Sequence, residues 1–353
     1  MKEVLAVFKE TEDVGITIRQ SWLKPLGDLD ALVKPYACGI CGSDLKTYEF
    51  QSYRREFLRQ SMPVIMGHEV AGQVIQVGRL VKHLRPGDRV LTDPVMHCGN
   101  CRLCNQGRTN ICESRKILGY ETDGGMAQMA VLPASCLITI PSEIEYIDAP
   151  LLEILATAVH AIERVGLVSG QPCAILGPGP LGIMLLQALK ASGAWPITVF
   201  GSERSRPRLE LAMQLGADEV IVVNEDNIGQ HLSRYEYVFE VAGKPEALTN
   251  GARITRRGGK LIFASGFDQV SADFRLNEYL KNREIDLVTS TGHPRTAWDI
   301  AISLVLSGKV RLSGLVDSLV PLAQADKAFH AAFNRENFKT VIICNPSDSK
   351  STF

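Results

Sequence analysis

What the chain lacks narrows its function before any motif is read. Charge of one sign is missing: 38 basic and 39 acidic residues leave a formal net charge of −1 over 353 residues. No long like-charge block interrupts that balance, which removes the electrostatic footprint of a nucleic-acid binder or of a protein held to an anionic membrane. Long hydrophobic runs are missing too. The stretch from Leu181 to Leu186 is far short of the roughly 20 apolar residues a membrane helix needs. The N-terminal MKEVLAVFKETEDVG is too short in its apolar part, and too broken by charge, to read as a signal peptide. A soluble, cytoplasmic protein is expected. There is no internal repeat and no low-complexity tract, and 45% hydrophobic with 22% charged residues suffices for a sizeable core. At this length two domains are expected. Against these absences stand nine cysteines. In a reducing compartment, clustered cysteines point to metal rather than to disulfides.

The texture of the chain changes near residue 155. Before it lie Gly, Pro and short β-like runs (Val70 to Val77, Arg89 to Leu91, Ala127 to Leu132), separated by turns such as Arg85-Pro86-Gly87-Asp88. This reads as an irregular, mostly β domain built around loops. After it, a helical stretch (Ala156 to Arg164) leads to strand-like runs at Cys173 to Leu176, Ile197 to Phe200, Glu219 to Val223, Tyr237 to Val241, Lys260 to Ala264 and Ile285 to Thr289. Helix-like segments such as Leu181 to Ala191 separate most of them, which implies a parallel, doubly wound sheet. The last segments are a helix (Thr296 to Leu306), a strand-like piece near Leu315, a helix (Leu322 to Asn334) and a strand (Thr340 to Cys344). They are too few to extend the doubly wound sheet, so residues 293–353 are expected to return to the first domain (1–154), leaving 155–292 as the second.

Cys98, Cys101, Cys104 and Cys112 are spaced C-x2-C-x2-C-x7-C. Four thiolates on a short loop can wrap one tetrahedral ion with no position left open, which makes a structural site. An iron–sulfur cluster is the rival, because cysteines at this close spacing also occur in ferredoxins. The seven-residue gap and the missing Pro after Cys112 favour zinc. A second donor set is dispersed: Cys38 and Cys41 in CGICGSD, His68 and Glu69 in GHEVAG, and Glu153 far downstream. Singly each has an ordinary reading, as a polar turn or a pair of core thiols. Together they offer the mixed Cys, His and carboxylate donors of a catalytic zinc that keeps one exchangeable position.

The order CGICGSD, GHE, four-cysteine lobe and, further on, the G-x-G-x-x-G of Gly177 to Gly182 resembles the medium-chain zinc alcohol dehydrogenases, over essentially the whole chain. The resemblance implies an α/β protein: a GroES-like, mostly β catalytic domain plus a Rossmann coenzyme domain. It places catalytic zinc ligands at Cys41 and His68, with Glu69 as a carboxylate that binds the metal or swings away. Where primary alcohol dehydrogenases carry a further cysteine ligand, this chain has Glu153, as in the sorbitol and threonine dehydrogenase branch, where the Glu binds zinc or its water. Cys38 has no ligand counterpart and is expected as a buried neighbour. Ser43 matches the hydroxyl that begins the proton relay, and Asp44 the carboxylate that orients His68. The relay's outer histidine is replaced by Lys46, which either holds a proton, meets a polar substrate group, or is a solvated lysine.

Gly177-Pro178-Gly179-Pro180-Leu181-Gly182 follows the strand Cys173 to Leu176 and opens a helix, the context in which G-x-G-x-x-G cradles a pyrophosphate. Glu203 stands 21 residues after Gly182, where an acidic side chain holds the ribose hydroxyls of NAD and repels a 2′-phosphate. Arg204 and Arg206 leave NADP open, and the resemblance adds Arg208 to the coenzyme contacts. Two zinc ions and NAD are therefore expected, with a polyol-like or amino-alcohol substrate. The charged segment from Tyr48 to Met62 fits a polar substrate. His293 is either near the nicotinamide, as the resemblance implies, or an exposed loop histidine. A homodimer or homotetramer is carried over from the family. The alternatives are an NADPH-dependent zinc reductase and a catalytically silent relative.

Overall fold

The computed structural model describes residues 2–51, 55–267 and 274–345. The chain forms two units, Met1–Glu153 with Leu312–Phe353, and Ile154–Arg311. The return to the first unit thus falls at Leu312, where the sequence suggested 293. The helix Thr296–Leu306 has the bounds read from the sequence but belongs to the second unit, where Trp298 is wholly buried.

The first unit is organised by the strand Asp30–Gly39. It pairs antiparallel with Glu69–Val77, Thr340–Ile343 and Ala130–Pro133 in a 7-stranded sheet. No run read from the sequence covered it, because Pro35 argues against a central strand. The sheet absorbs that proline at a register shift between the Pro35 and Ala37 pairs. A smaller sheet joins Thr17–Trp22, Glu3–Lys9 and Val64–Ile65. The strand expected near Leu315 forms later, at Ser318–Pro321. The helix expected from Leu322 opens as a single 3-10 turn and becomes α-helical only over Ala325–Phe333. Its Ala325, Ala328 and Phe329 pack with Cys38, Ile40, Met66, Val70 and Ile342 in a core beneath the strand ends. No helix among the described residues is long and apolar enough to cross a membrane.

The helix expected from Ala156 begins at Pro150 instead and runs to Glu163, which places Glu153 in its first turn. Proline suits that start because a first-turn N–H has no partner within the helix.

The second unit holds a six-stranded sheet with every pairing parallel. In spatial order the strands are Glu219–Val222, Ile197–Gly201, Cys173–Leu176, Tyr235–Glu240, Thr255–Phe263 and Asp286–Thr289. In chain order that is 3-2-1-4-5-6, the doubly wound arrangement whose direction reverses between Cys173–Leu176 and Tyr235–Glu240. Cys173–Leu176 is buried at every position, as a strand covered on both faces must be.

Phe239 lies in the central strand Tyr235–Glu240 with no exposed surface. Phe239→Ala should cost about 3–5 kcal/mol by leaving a cavity that a close-packed sheet refills only in part. Denaturant unfolding monitored by circular dichroism measures it, and a loss below about 1 kcal/mol would show that the site collapses freely.

Candidate active site

Strand register assembles the first donor group. Gly39 pairs with Glu69 on one side and Val341 on the other, so the chain leaving Gly39 for Cys41 runs beside His68-Glu69 and beside Lys339-Thr340. The ligand atoms of Cys41, His68 and Glu69 lie within 4.8 Å of one another. Cys41 caps the helix Gly42–Tyr48, and its N–H donates to Asp44 Oδ2 at 2.9 Å. The other oxygen, Asp44 Oδ1, is 3.3 Å from His68 Nδ1. One buried carboxylate therefore orients two of the three donors and leaves His68 Nε2 for a metal. Thr92 completes the arrangement. Its hydroxyl accepts from Val70 N at 2.8 Å and donates to the His68 carbonyl.

Glu69 is wholly buried, and its Oε2 accepts from Lys339 Nζ, which also donates to the Ile40 carbonyl at 3.0 Å. Only glycine fits at residue 39 beside this pair, since a Cβ there would lie 2.0 Å from Glu69 Oε2. Burial raises the Glu69 pKa, Lys339 opposes that rise, and Glu153 adds to it. Glu69 Oε1 has no hydrogen-bond partner among the described residues. Asp44, Glu69, Glu153 and the Cys41 thiol thus face one lysine and one histidine, a set short of positive charge. A divalent cation fits both the unpartnered oxygen and that imbalance. Glu153 is buried near Glu69, yet it lies outside the group of donors within 4.8 Å.

The four-cysteine lobe is a separate group, with its sulfurs within the same 4.8 Å limit. Cys98 and Cys112 Sγ are 3.5 Å apart, Cys101 and Cys112 3.9 Å, and Cys98 and Cys104 4.0 Å. Four sulfurs about 2.3 Å from one tetrahedral ion stand about 3.8 Å from each other, so the spacing fits one zinc. Backbone N–H groups of Cys98, Cys101 and Cys104 point at the sulfurs of Cys112, Cys98 and Cys101, at 3.4–3.5 Å. N–H donors of Glu113 and Cys104 hold the Cys101 thiol down at about 6, which favours the thiolate a metal needs. Cys38 stands apart from both groups, and burial pushes its thiol well above the usual range.

In the second unit, Gly177 adopts φ +117°, and a Cβ there would meet the Ala242 backbone at 2.8 Å. A Cβ on Gly182 would lie 1.9 Å from the Gly177 carbonyl, so this glycine permits close packing of helix on strand. Gly179 caps the helix Pro180–Ala191 and has nothing within 4 Å of a notional Cβ, leaving space at the helix N-terminus for an anion. Leu181 follows Pro180 in that first turn. Glu203 is exposed on the short turn after Ile197–Gly201, and both its oxygens are engaged by Arg206, at 2.9 Å each. Arg204 is exposed and Arg208 half-buried.

Ser43 and Lys46 are half-buried on the helix Gly42–Tyr48. The segment 48–62 contributes the helix Arg55–Ser61, and its residues 52–54 lie outside the described residues. His293 is 1% exposed with its ring edge-on to Trp298 at 4.8 Å, which rules out the exposed-loop alternative. Three residues went unread in the sequence. Lys339 gave no local signal, since a lysine before a strand ordinarily faces solvent. Tyr120 lay in a stretch read only as loop. Glu240, wholly buried at a strand end, accepts from Ala242 N and Gly243 N at 2.9 Å and braces the loop beside Gly177.

A donor triad beside a strand pairing, a closed four-thiolate lobe and a Gly-rich turn on a doubly wound sheet define a metal-dependent, dinucleotide-linked oxidoreductase. Comparison with known proteins agrees. The family described as alcohol dehydrogenase GroES-like domain matches residues 27–142, and that described as zinc-binding dehydrogenase matches 180–307. D-arabitol-phosphate dehydrogenase of Enterococcus avium is 31% identical, covering 91% of this chain and 92% of that one. L-Threonine 3-dehydrogenase of Pyrococcus furiosus is 32% identical, covering 89% and 91%. The solved structure of 2R,3R-butanediol dehydrogenase from Bacillus subtilis superposes with a TM-score of 0.85 at 26% identity, over 97% of this chain and 100% of that one. The chain belongs to the zinc-binding alcohol dehydrogenase family.

Two outcomes follow. Cys104→Ser should reduce zinc content from two ions per chain to one and lower the melting temperature, because a structural zinc contributes folding energy directly. Iron in the elemental analysis would overturn the zinc assignment. Lys339→Met should leave Glu69 as an uncompensated buried charge, costing roughly 3–5 kcal/mol in the metal-free protein and less when a cation compensates. Unfolding with and without chelator measures the difference, and equal losses in both would contradict it.

Proposed function

We propose that this protein oxidises a secondary alcohol carrying an adjacent hydroxyl or amine. The alcohol's hydride passes to NAD⁺, giving a ketone, NADH and a released proton. The observation that carries the reading is the Cys41, His68 and Glu69 cluster, which has Glu153 rather than a second thiol as its further neighbour. Cys41, His68 and Glu69 would hold a zinc ion, which when bound would supply the Lewis acid that polarises the alcohol oxygen and lowers its pKa. Asp44 orients His68. Ser43 accepts the alcohol's proton while passing its own outward, with Lys46 on the same helix as a further polar station. Glu153 offers an acceptor for the second hydroxyl or the amine, through a water or directly. In the second unit the Gly177–Gly182 turn takes the pyrophosphate, with Glu203, Arg204 and Arg208 around the adenosine ribose.

The relatives support the substrate class, since their names describe a sugar-alcohol phosphate, an amino alcohol and a vicinal diol. NAD⁺ remains the first choice because Glu203 is the acidic side chain on the turn that follows the second strand of the sheet. NADP⁺ is the second reading, because Arg206 already neutralises Glu203 and an exposed pair of this kind breaks easily. A soluble cytoplasmic homodimer or homotetramer completes the proposal, and Asp286–Thr289 stands at the edge of its sheet among the described residues, where a second copy would pair.

The deciding measurement compares kcat/KM for a vicinal diol or amino alcohol with that for a primary alcohol of equal carbon count, with each coenzyme. The polar substrate should win by roughly tenfold or more, as when a site's buried polar groups would otherwise go unpaired. Preference for the primary alcohol would remove the polyol reading and leave the zinc dehydrogenase standing.

A further inference from the structure

Tyr120 is a buried polar side chain that the chemistry above does not use. It is 4% exposed and sits on the turn after the strand Lys116–Ile117. Glu121 Oε2 accepts from Ile117 N at 2.9 Å, and Gly119 N donates to Thr122 O at 2.8 Å. Gly119 and Gly124 press this turn against Gly67, since a Cβ on either would come within 2.9 or 2.0 Å of the Gly67 backbone. The turn is clamped to the residue before His68, and the Tyr120 ring centre lies 5.5 Å from that of the imidazole.

The phenol end meets the helix Gly42–Tyr48. The hydroxyls of Ser43 and Thr47, one helical turn apart on one face, act on it directly, with Asp44 and Cys41 nearby. A phenol carries its proton at neutral pH and is therefore a donor. Neither the Tyr120 nor the Thr47 hydroxyl completes a hydrogen bond among the described residues. A buried hydroxyl in that state is destabilising, and phenylalanine would fill the same space without it. Sites that keep such a group against stability are often functional ones.

We propose that Tyr120 is a positioning residue for Ser43: its hydroxyl donates to one lone pair of Ser43 Oγ and so fixes the serine rotamer during proton transfer. A serine hydroxyl has one proton and two lone pairs. With one lone pair held by Tyr120, the other faces the alcohol's proton and the serine's own O–H points outward. The inference rests on the reading that Ser43 carries that proton.

The test is a double-mutant cycle of Tyr120→Phe and Ser43→Ala on the zinc-loaded enzyme, with melting temperature and zinc content as readouts independent of activity. Tyr120→Phe should keep its zinc and melt at or above the wild-type temperature. Its kcat for a diol should fall roughly tenfold with KM little changed and a larger solvent deuterium isotope effect, as for a misaligned proton transfer. Ser43→Ala should lose on the order of 10²-fold in kcat, and adding Tyr120→Phe to it should cost nothing more. A Phe variant that fails to fold, or melts lower with kcat intact, would assign Tyr120 a structural role and overturn the inference. So would full additivity of the two losses. Wild-type activity with an undiminished Phe variant sinks this inference alone, whereas a wild type inactive on every alcohol sinks the proposed function with it.

Discussion

The cluster of Cys41, His68 and Glu69 depends on the pairing of Gly39 with Glu69 and with Val341. Side chains alternate along a strand, so a slip of one residue would turn Glu69 to the opposite face and separate it from Cys41 and Lys339. Burial specifies the register: the last five positions of Asp30–Gly39 and the first four of Glu69–Val77 are all buried, and the core under them includes Cys38 and Val70. The residue with no side chain, Gly39, sits where the two strands bring a carboxylate and an ammonium together.

That geometry sets the electrostatics. Glu69 and Lys339 are both withdrawn from water, a costly arrangement unless their charges are matched and their remaining polar atoms satisfied. Lys339 matches one oxygen of Glu69 and the Ile40 carbonyl, which leaves the other oxygen as a donor beside Cys41 and His68. Asp44 does comparable work from the opposite side by holding the Cys41 backbone and the His68 ring. The centre is therefore negative by construction, and its demand for a cation follows from buried charge.

The coenzyme turn works by a different principle. It relies on absent side chains at the start of a helix, and Gly177 and Gly182 are set by the close approach of the Ala242 backbone and the Gly177 carbonyl. Charge enters only at its edge, where Glu203 and Arg206 are exposed and screened by water. The glycine positions are accordingly rigid in their demands on sequence, while the exposed Glu203–Arg206 pair is a weak, exchangeable contact.

The sequence by itself determined what is local. The four-cysteine spacing, the Gly-rich turn after Cys173–Leu176 and the alternation of strands with helices were legible because each is encoded within a short window. Two donors, His68 and Glu69, were legible because they are adjacent. Only the tertiary structure decided the rest. It placed the strand Asp30–Gly39, concealed by Pro35, at the middle of its sheet. It started a helix at Pro150, so that Glu153 projects from a first turn rather than a loop. It returned the chain at Leu312, keeping Thr296–Leu306 with the second unit. It also carried Lys339 across 270 positions of sequence to Glu69, and set Tyr120 against His68 and the Ser43 face. Partners so distant leave no periodicity or spacing in the chain, because what joins them is strand register and shared burial, which exist only once the sheet has formed.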